Sequence, residues 1–90
     1  MYESSDLVRA VRLPEGVDLH ARPAGVVVRE AAGFQAAVVL RAGGREADAK
    51  SILQVMALGA TGGSELAVEA TGGDASAALD AIARLLATLA

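Results

Sequence analysis

Leu19-His20-Ala21-Arg22-Pro23-Ala24 sets the chain's one histidine directly before an expected helix start, with an arginine two positions on. Imidazole is both neutral and nucleophilic near neutral pH without special tuning, because its reference pKa is about 6.5. A helix N-terminus offers unpaired N–H donors and a partial positive charge, which together favour a phosphoryl group. Arginine adds a planar fork of donors for phosphate oxygens. A proline in the first turn is tolerated, because the N–H it lacks has no helical partner there. Pro23 therefore leaves the N–H groups of Ala21 and Arg22 for an anion. A cation at a helix N-terminus sits at the unfavourable end of the dipole, and an anionic ligand would account for Arg22 at that place. Taken without their neighbours, His20 is equally compatible with a helix cap or a solvated loop residue, and Arg22 with a solvated cation.

These residues need elements to hold them. Mixed alternation from Asp6 to Leu13 predicts an edge or half-buried strand, broken by Pro14-Glu15-Gly16. A helix is expected from about Ala21 to Ala32, with Ala24, Val27, Val28 and Ala31 on one buried face and Gly33 as its stop. Valine-rich Phe34–Ala42 predicts a strand, Gly43-Gly44 a two-residue turn, and Arg45–Ala49 the returning strand of a hairpin. Ser51 is placed to cap a short helix through Leu58, ended by Gly59. After a loop at Thr61-Gly62-Gly63-Ser64, a strand follows from Glu65 to Ala70 and turns at Thr71-Gly72-Gly73. Asp74 is then expected to cap a last helix with Leu79, Ile82, Ala83 and Leu86 facing the core, and Asp80 and Arg84 paired on the opposite side. The order βαββαβα predicts an α+β domain spanning residues 1–90, an antiparallel four-stranded sheet with three helices on one face.

Composition narrows the function. Ninety residues support one small core, and with a single Tyr and a single Phe that core must be Val, Leu, Ile and Ala. The absence of cysteine excludes a disulfide framework, a thiol nucleophile and thiolate metal ligands, and suits a reducing cytoplasm. One histidine argues against a zinc site, and neither metal nor cofactor is expected. A net charge of −3 provides no basic face for nucleic acid. Apolar runs fall far short of the ~20 residues of a membrane span, and Met-Tyr-Glu-Ser-Ser-Asp shows no secretory signal.

The segment Leu19–Ala24 resembles the active-site segment of HPr, the histidine phosphocarrier family of the bacterial phosphoenolpyruvate-dependent sugar phosphotransferase system. Lys50-Ser51-Ile52-Leu53-Gln54-Val55-Met56-Ala57-Leu58-Gly59 is similar to the regulatory-serine helix of that family, at the family's separation from the first motif without a gap. The resemblance runs from about Leu7 to Leu89. It implies an open-faced α/β sandwich with strand order 1-4-2-3. It implies that His20 accepts a phosphoryl group on Nδ1 from the phosphohistidine of Enzyme I and passes it to a histidine of an Enzyme II A component. Arg22 and the N–H groups of Ala21 and Arg22 would stabilise the group. The protein would be a monomeric cytoplasmic carrier and not an independent enzyme.

Further expectations follow from the resemblance. Ser51 matches the regulatory serine that a dedicated ATP-dependent kinase (HPr kinase/phosphorylase) modifies in some lineages, although capping alone would explain a serine there. Gly25, Arg29, Leu53, Met56 and Thr61 match positions that contact Enzyme I and the A components. Ile52, Leu53, Val55, Met56 and Leu58 are more apolar residues than one face of a short helix buries, so some are expected at the surface for docking. Asp18 departs from the family, which usually has glycine there. Its carboxylate could orient the imidazole or point to solvent, and altered transfer kinetics are expected. The alternatives are a regulatory carrier of the nitrogen-related or dihydroxyacetone branch, and a binding module that has lost transfer. An independent hydrolase or kinase lacks any second acid or base, metal cluster or nucleotide loop.

Overall fold

Alternation along Leu7–Arg12 yields the edge strand β1, with Val11 in the core and Val8, Ala10 and Arg12 exposed on the other side. The structure, a computed structural model, describes residues 7–90, so the expected strand start at Asp6 lies outside the described residues. The elements that follow are α1 (Ala21–Ala32), β2 (Ala37–Ala42), β3 (Arg45–Asp48), α2 (Ile52–Ala57), β4 (Glu65–Thr71) and α3 (Ala75–Ala87). All strand pairs are antiparallel, in the order β1-β4-β2-β3. Both the βαββαβα order and the strand order agree with expectation.

The core lies between one sheet face and the three helices. Val11, Val38, Leu40, Leu66 and Val68 from the sheet and Val27, Val55, Ile82 and Leu86 from the helices are all buried. On α3 the expected face of Leu79, Ile82, Ala83 and Leu86 is the buried one. On α1, Ala24, Val27 and Ala31 are buried as expected and Val28 is half-buried. Among the described residues the opposite sheet face carries no helix. There Arg41 donates to the Glu69 carboxylate of the neighbouring strand, and this hydrogen bond and charge hold the guanidinium above its ordinary pKa. Gly43 and Gly44 close the β2–β3 hairpin with φ of +57° and +82°, a two-residue turn that side-chain-bearing residues enter only with strain.

Local details differ from the expectations. Strand β2 starts at Ala37 rather than Phe34, because residues 34–36 are held by side chains instead of a neighbouring strand. Lys50 Nζ donates to the Phe34 carbonyl at 2.8 Å, and the N–H groups of Gln35 and Ala36 donate to the Asp74 carboxylate at 2.9 and 2.7 Å. Asp74 thus occupies the N-cap position of α3 without a side-chain cap, its oxygens being spent across the fold. Gly33 ends α1 as expected, in a right-handed conformation at φ −76°. The Asp80–Arg84 pair forms at 2.8 Å, and Arg9 of β1 joins it at 3.1 Å.

The Asp74 contacts carry a pH signature. The Gln35 N–H above all, with that of Ala36 and the charge of Lys50, favours the carboxylate and holds its pKa below the ordinary value. A depressed folded-state pKa contributes stability that is fully present above the unfolded value of about 3.9 and is lost as pH falls through the folded value. Asp74→Ala is therefore expected to lower the melting temperature at pH 6. The gap to wild type should narrow in acid below that pH window. A gap independent of pH would show that the ionised carboxylate is not what holds residues 34–36.

Candidate functional site

His20 stands at the junction between the loop after β1 and the start of α1. It is the N-cap residue, extended at φ −92° and ψ −162°, and its side chain makes no capping hydrogen bond. Its carbonyl accepts the Ala24 N–H at 2.9 Å, the first bond of the helix. Pro23 is buried in the first turn and has no N–H to offer. Among the described residues, the N–H groups of Ala21 and Arg22 have no acceptor. No acidic side chain occupies the first turn, so the positive end of α1 is left uncompensated. His20, Ala21 and Arg22 are all exposed. They line one shallow cleft of about 350 Å³ together with Gly16, Val17, Asp18, Pro23 and Ala90. Such an arrangement can receive an anion at the imidazole from outside, with two backbone donors and a guanidinium beside it.

The loop that presents His20 is laced to the loop before β4. Leu13 N–H donates to the Ser64 carbonyl, Gly63 N–H to that of Leu13 and Leu19 N–H to that of Ala60, each at 3.0 Å. Asp18 Oδ1 accepts the Gly62 N–H at 2.8 Å. The carboxylate is thus neither free in solvent nor hydrogen-bonded to the imidazole among the described residues. Gly62, expected as a mere turn residue, has a packing role. A Cβ there would lie 2.5 Å from Gly16 N and 2.7 Å from Val17 N, so only glycine lets the two loops close. The turn-rich composition of Thr61–Ser64 gave no local sign of that approach. Nor did anything local place Ala90 beside His20.

The remaining sequence-derived positions fall on adjoining surfaces. Ser51 is the N-cap of α2 and its Oγ accepts the Gln54 N–H at 3.3 Å. Val55 of α2 and Leu58, the residue that caps its C-terminus one position short of the expected end, are buried, whereas Leu53 is 77% exposed, Ile52 41% and Met56 40%. The short helix therefore does turn apolar side chains outward. Gly25 of α1 faces α2, where a Cβ would sit 3.8 Å from Ile52 Cδ1. Arg29 is exposed in the last turn of α1, the end at which a cation complements the helix dipole, and Thr61 is exposed in the loop before β4. No helix among the described residues is long and apolar enough to cross a membrane.

Comparison with known proteins assigns this geometry to a family. Residues 8–88 match the model described as PTS HPr component phosphorylation site. The chain is 42% identical over 79 residues to the phosphocarrier protein HPr of Treponema pallidum, covering 88% of this chain and 90% of that one. It is 39% identical over 70 residues to the protein of the same name from Mycoplasma capricolum, covering 78% and 79%. Among solved structures it resembles HPr of Bacillus anthracis with a TM-score of 0.87 at 32% identity, covering 92% of this chain and 99% of that one.

Proposed function

The chain belongs to the HPr family of phosphotransferase-system phosphocarriers, and from that membership we propose that His20 is the residue on which it carries the phosphoryl group. As a family member it is a carrier and not an independent catalyst, and it works with enzymes of the phosphotransferase system. The donor is Enzyme I and the acceptor an Enzyme II A component. The observation that carries this reading is the pair of free donors at Ala21 and Arg22, directly beside the exposed imidazole.

In the proposed reaction Nδ1 of His20 attacks phosphorus in line, a new N–P bond forms, and the N–P bond to the donor imidazole breaks with its electron pair returning to that ring. Phosphoryl transfer of this kind depends mainly on positioning and on stabilising the equatorial oxygens. Ala21 N–H, Arg22 N–H and the Arg22 guanidinium supply that stabilisation. The shallow, open cleft keeps the group accessible to the next acceptor. Phosphorus NMR of protein charged with phosphoenolpyruvate and Enzyme I tests the assignment, since an Nδ1 phosphoramidate has its own resonance and a phosphoserine another.

Partner docking is assigned to Gly25, Arg29, Leu53, Met56 and Thr61, flanking the cleft. A fully desolvated apolar anchor is worth about 2 kcal/mol or more at an interface, some thirtyfold in affinity. Leu53→Glu is expected to lower kcat/KM for transfer from Enzyme I by roughly that factor, through KM, while leaving the melting temperature nearly unchanged because Leu53 is exposed. An unchanged KM would take Leu53 out of the interface. Ser51 is assigned as a regulatory site where an HPr kinase is present. Its phosphate would add negative charge beside Leu53 and oppose docking to an acidic partner face. The matched residues 8–88 are assigned to a single carrier domain, monomeric and working in the cytoplasm.

A further inference from the structure

We propose that Asp18 is a positioning residue for phosphoryl transfer, holding the His20 loop through its side-chain hydrogen bond to Gly62. The proposal rests on the assignment of His20 as phosphoryl acceptor. Asp18 Oδ1 takes the Gly62 N–H at 2.8 Å, while its own carbonyl takes the His20 N–H at 2.9 Å. One residue thereby ties the nucleophile's backbone to the loop before β4. The neighbouring tie, Leu19 N–H to the Ala60 carbonyl at 3.0 Å, is a backbone bond available to any residue. The Asp18 contact is specific to an acceptor-bearing side chain.

Its location gives that tie leverage. Leu19 is buried and fixes one side of the loop, but Gly16, Asp18 and His20 are all exposed and Val17 only half-buried. Packing therefore restrains this side of the cleft weakly, and hydrogen bonds must do it. Gly62 meets the opposite strand of the loop at Gly16 N and Val17 N, close enough to forbid a Cβ. Accepting the Gly62 N–H sets the depth at which that backbone lies and with it the wall of the cleft in which the phosphoryl group is received. Transfer rates respond steeply to such placement, because a small loss of alignment of the attacking atom costs far more rate than stability. The carboxylate is directed into a structural bond by the same contact, which explains how a negative charge is tolerated beside an anion site.

The test separates hydrogen bond from charge. Asp18→Asn keeps an oxygen for the Gly62 N–H and removes the charge, whereas Asp18→Ala removes both. With Enzyme I and phosphoenolpyruvate, well below the melting temperature of each variant, Asp18→Ala is expected to lower kcat on the order of tenfold with little change in KM. Asp18→Asn should restore most of the rate. Amide exchange at Gly62 and His20 should accelerate in Asp18→Ala and remain slow in Asp18→Asn. A wild-type rate in Asp18→Ala overturns the proposal. So do equal losses in both variants, which would make the charge the active feature. Faster Gly62 exchange without any change in kcat reduces the contact to a structural one and overturns the positioning role. Wild-type protein phosphorylated at another residue overturns the His20 assignment itself, a result that phosphorus NMR recognises independently of the variants.

Discussion

His20→Ala is expected to take up no phosphoryl group from phosphoenolpyruvate and Enzyme I, whereas wild-type protein should gain one acid-labile group by intact mass. The expected loss is complete because the chain offers no substitute nucleophile of the same chemistry. It contains a single histidine and no cysteine. Phosphate on a serine or threonine would be acid-stable, so the readout excludes that route. Arg22→Ala should give a different result, the full mass gain at a rate lower by about a hundredfold, as when one charge-stabilising group is removed from a reacting centre. Arg22→Lys restores charge but not the planar fork and is expected to fall between the two. Equal phosphorylation of wild type and His20→Ala would remove His20 from the mechanism.

The largest effect on stability is expected from Ile82→Ala. Ile82 has no solvent exposure, and α3 packs its face against β1, β4 and β2. Truncation of a buried Ile costs about 3–4 kcal/mol, the transfer term plus a residual cavity. A domain of this size is stable by roughly 5–13 kcal/mol in all. The melting temperature should fall by about 15–25 °C, which calorimetry measures directly. Leu53→Ala removes a similar number of carbons and is expected to change stability by less than about 0.5 kcal/mol. A small effect at Ile82 would mean that the alanine-rich core collapses around the gap.

Periodicity and turn chemistry carried most of the fold. The buried stripe of α1 repeats at helical spacing, and Gly43-Gly44 marks its turn because few residues adopt two consecutive positive φ angles. The strand order came from resemblance, since β1 meets β4 across the chain and nothing in either strand names its partner. The histidine and arginine were legible for a similar reason to the turn, their cradle being made by their immediate neighbours in sequence. What local reading missed is made by distant segments. Asp74 has the residue type of a helix cap, yet two backbone donors of the α1–β2 connection outcompete the cap. Asp18 looked free to reach the imidazole, yet Gly62, forty-four positions on, takes its oxygen. Each side chain had one plausible local partner, and tertiary structure supplied another.

The strand order also governs how the surroundings of His20 come into being. Pairing of β1 with β4 begins at Leu7 opposite Ala70, whereas β2 and β3 meet across a two-glycine turn. The hairpin forms with little loop-closure entropy, but the outer strand docks only after a long stretch of chain has been ordered. His20 leaves the ribosome before the Ala60–Ser64 loop that braces it, which follows about forty residues later. At a synthesis rate of roughly 5–20 residues per second, the histidine spends seconds as a residue in a chain without a cradle. The cleft around His20 is thus completed late and cooperatively, when β1 closes on β4.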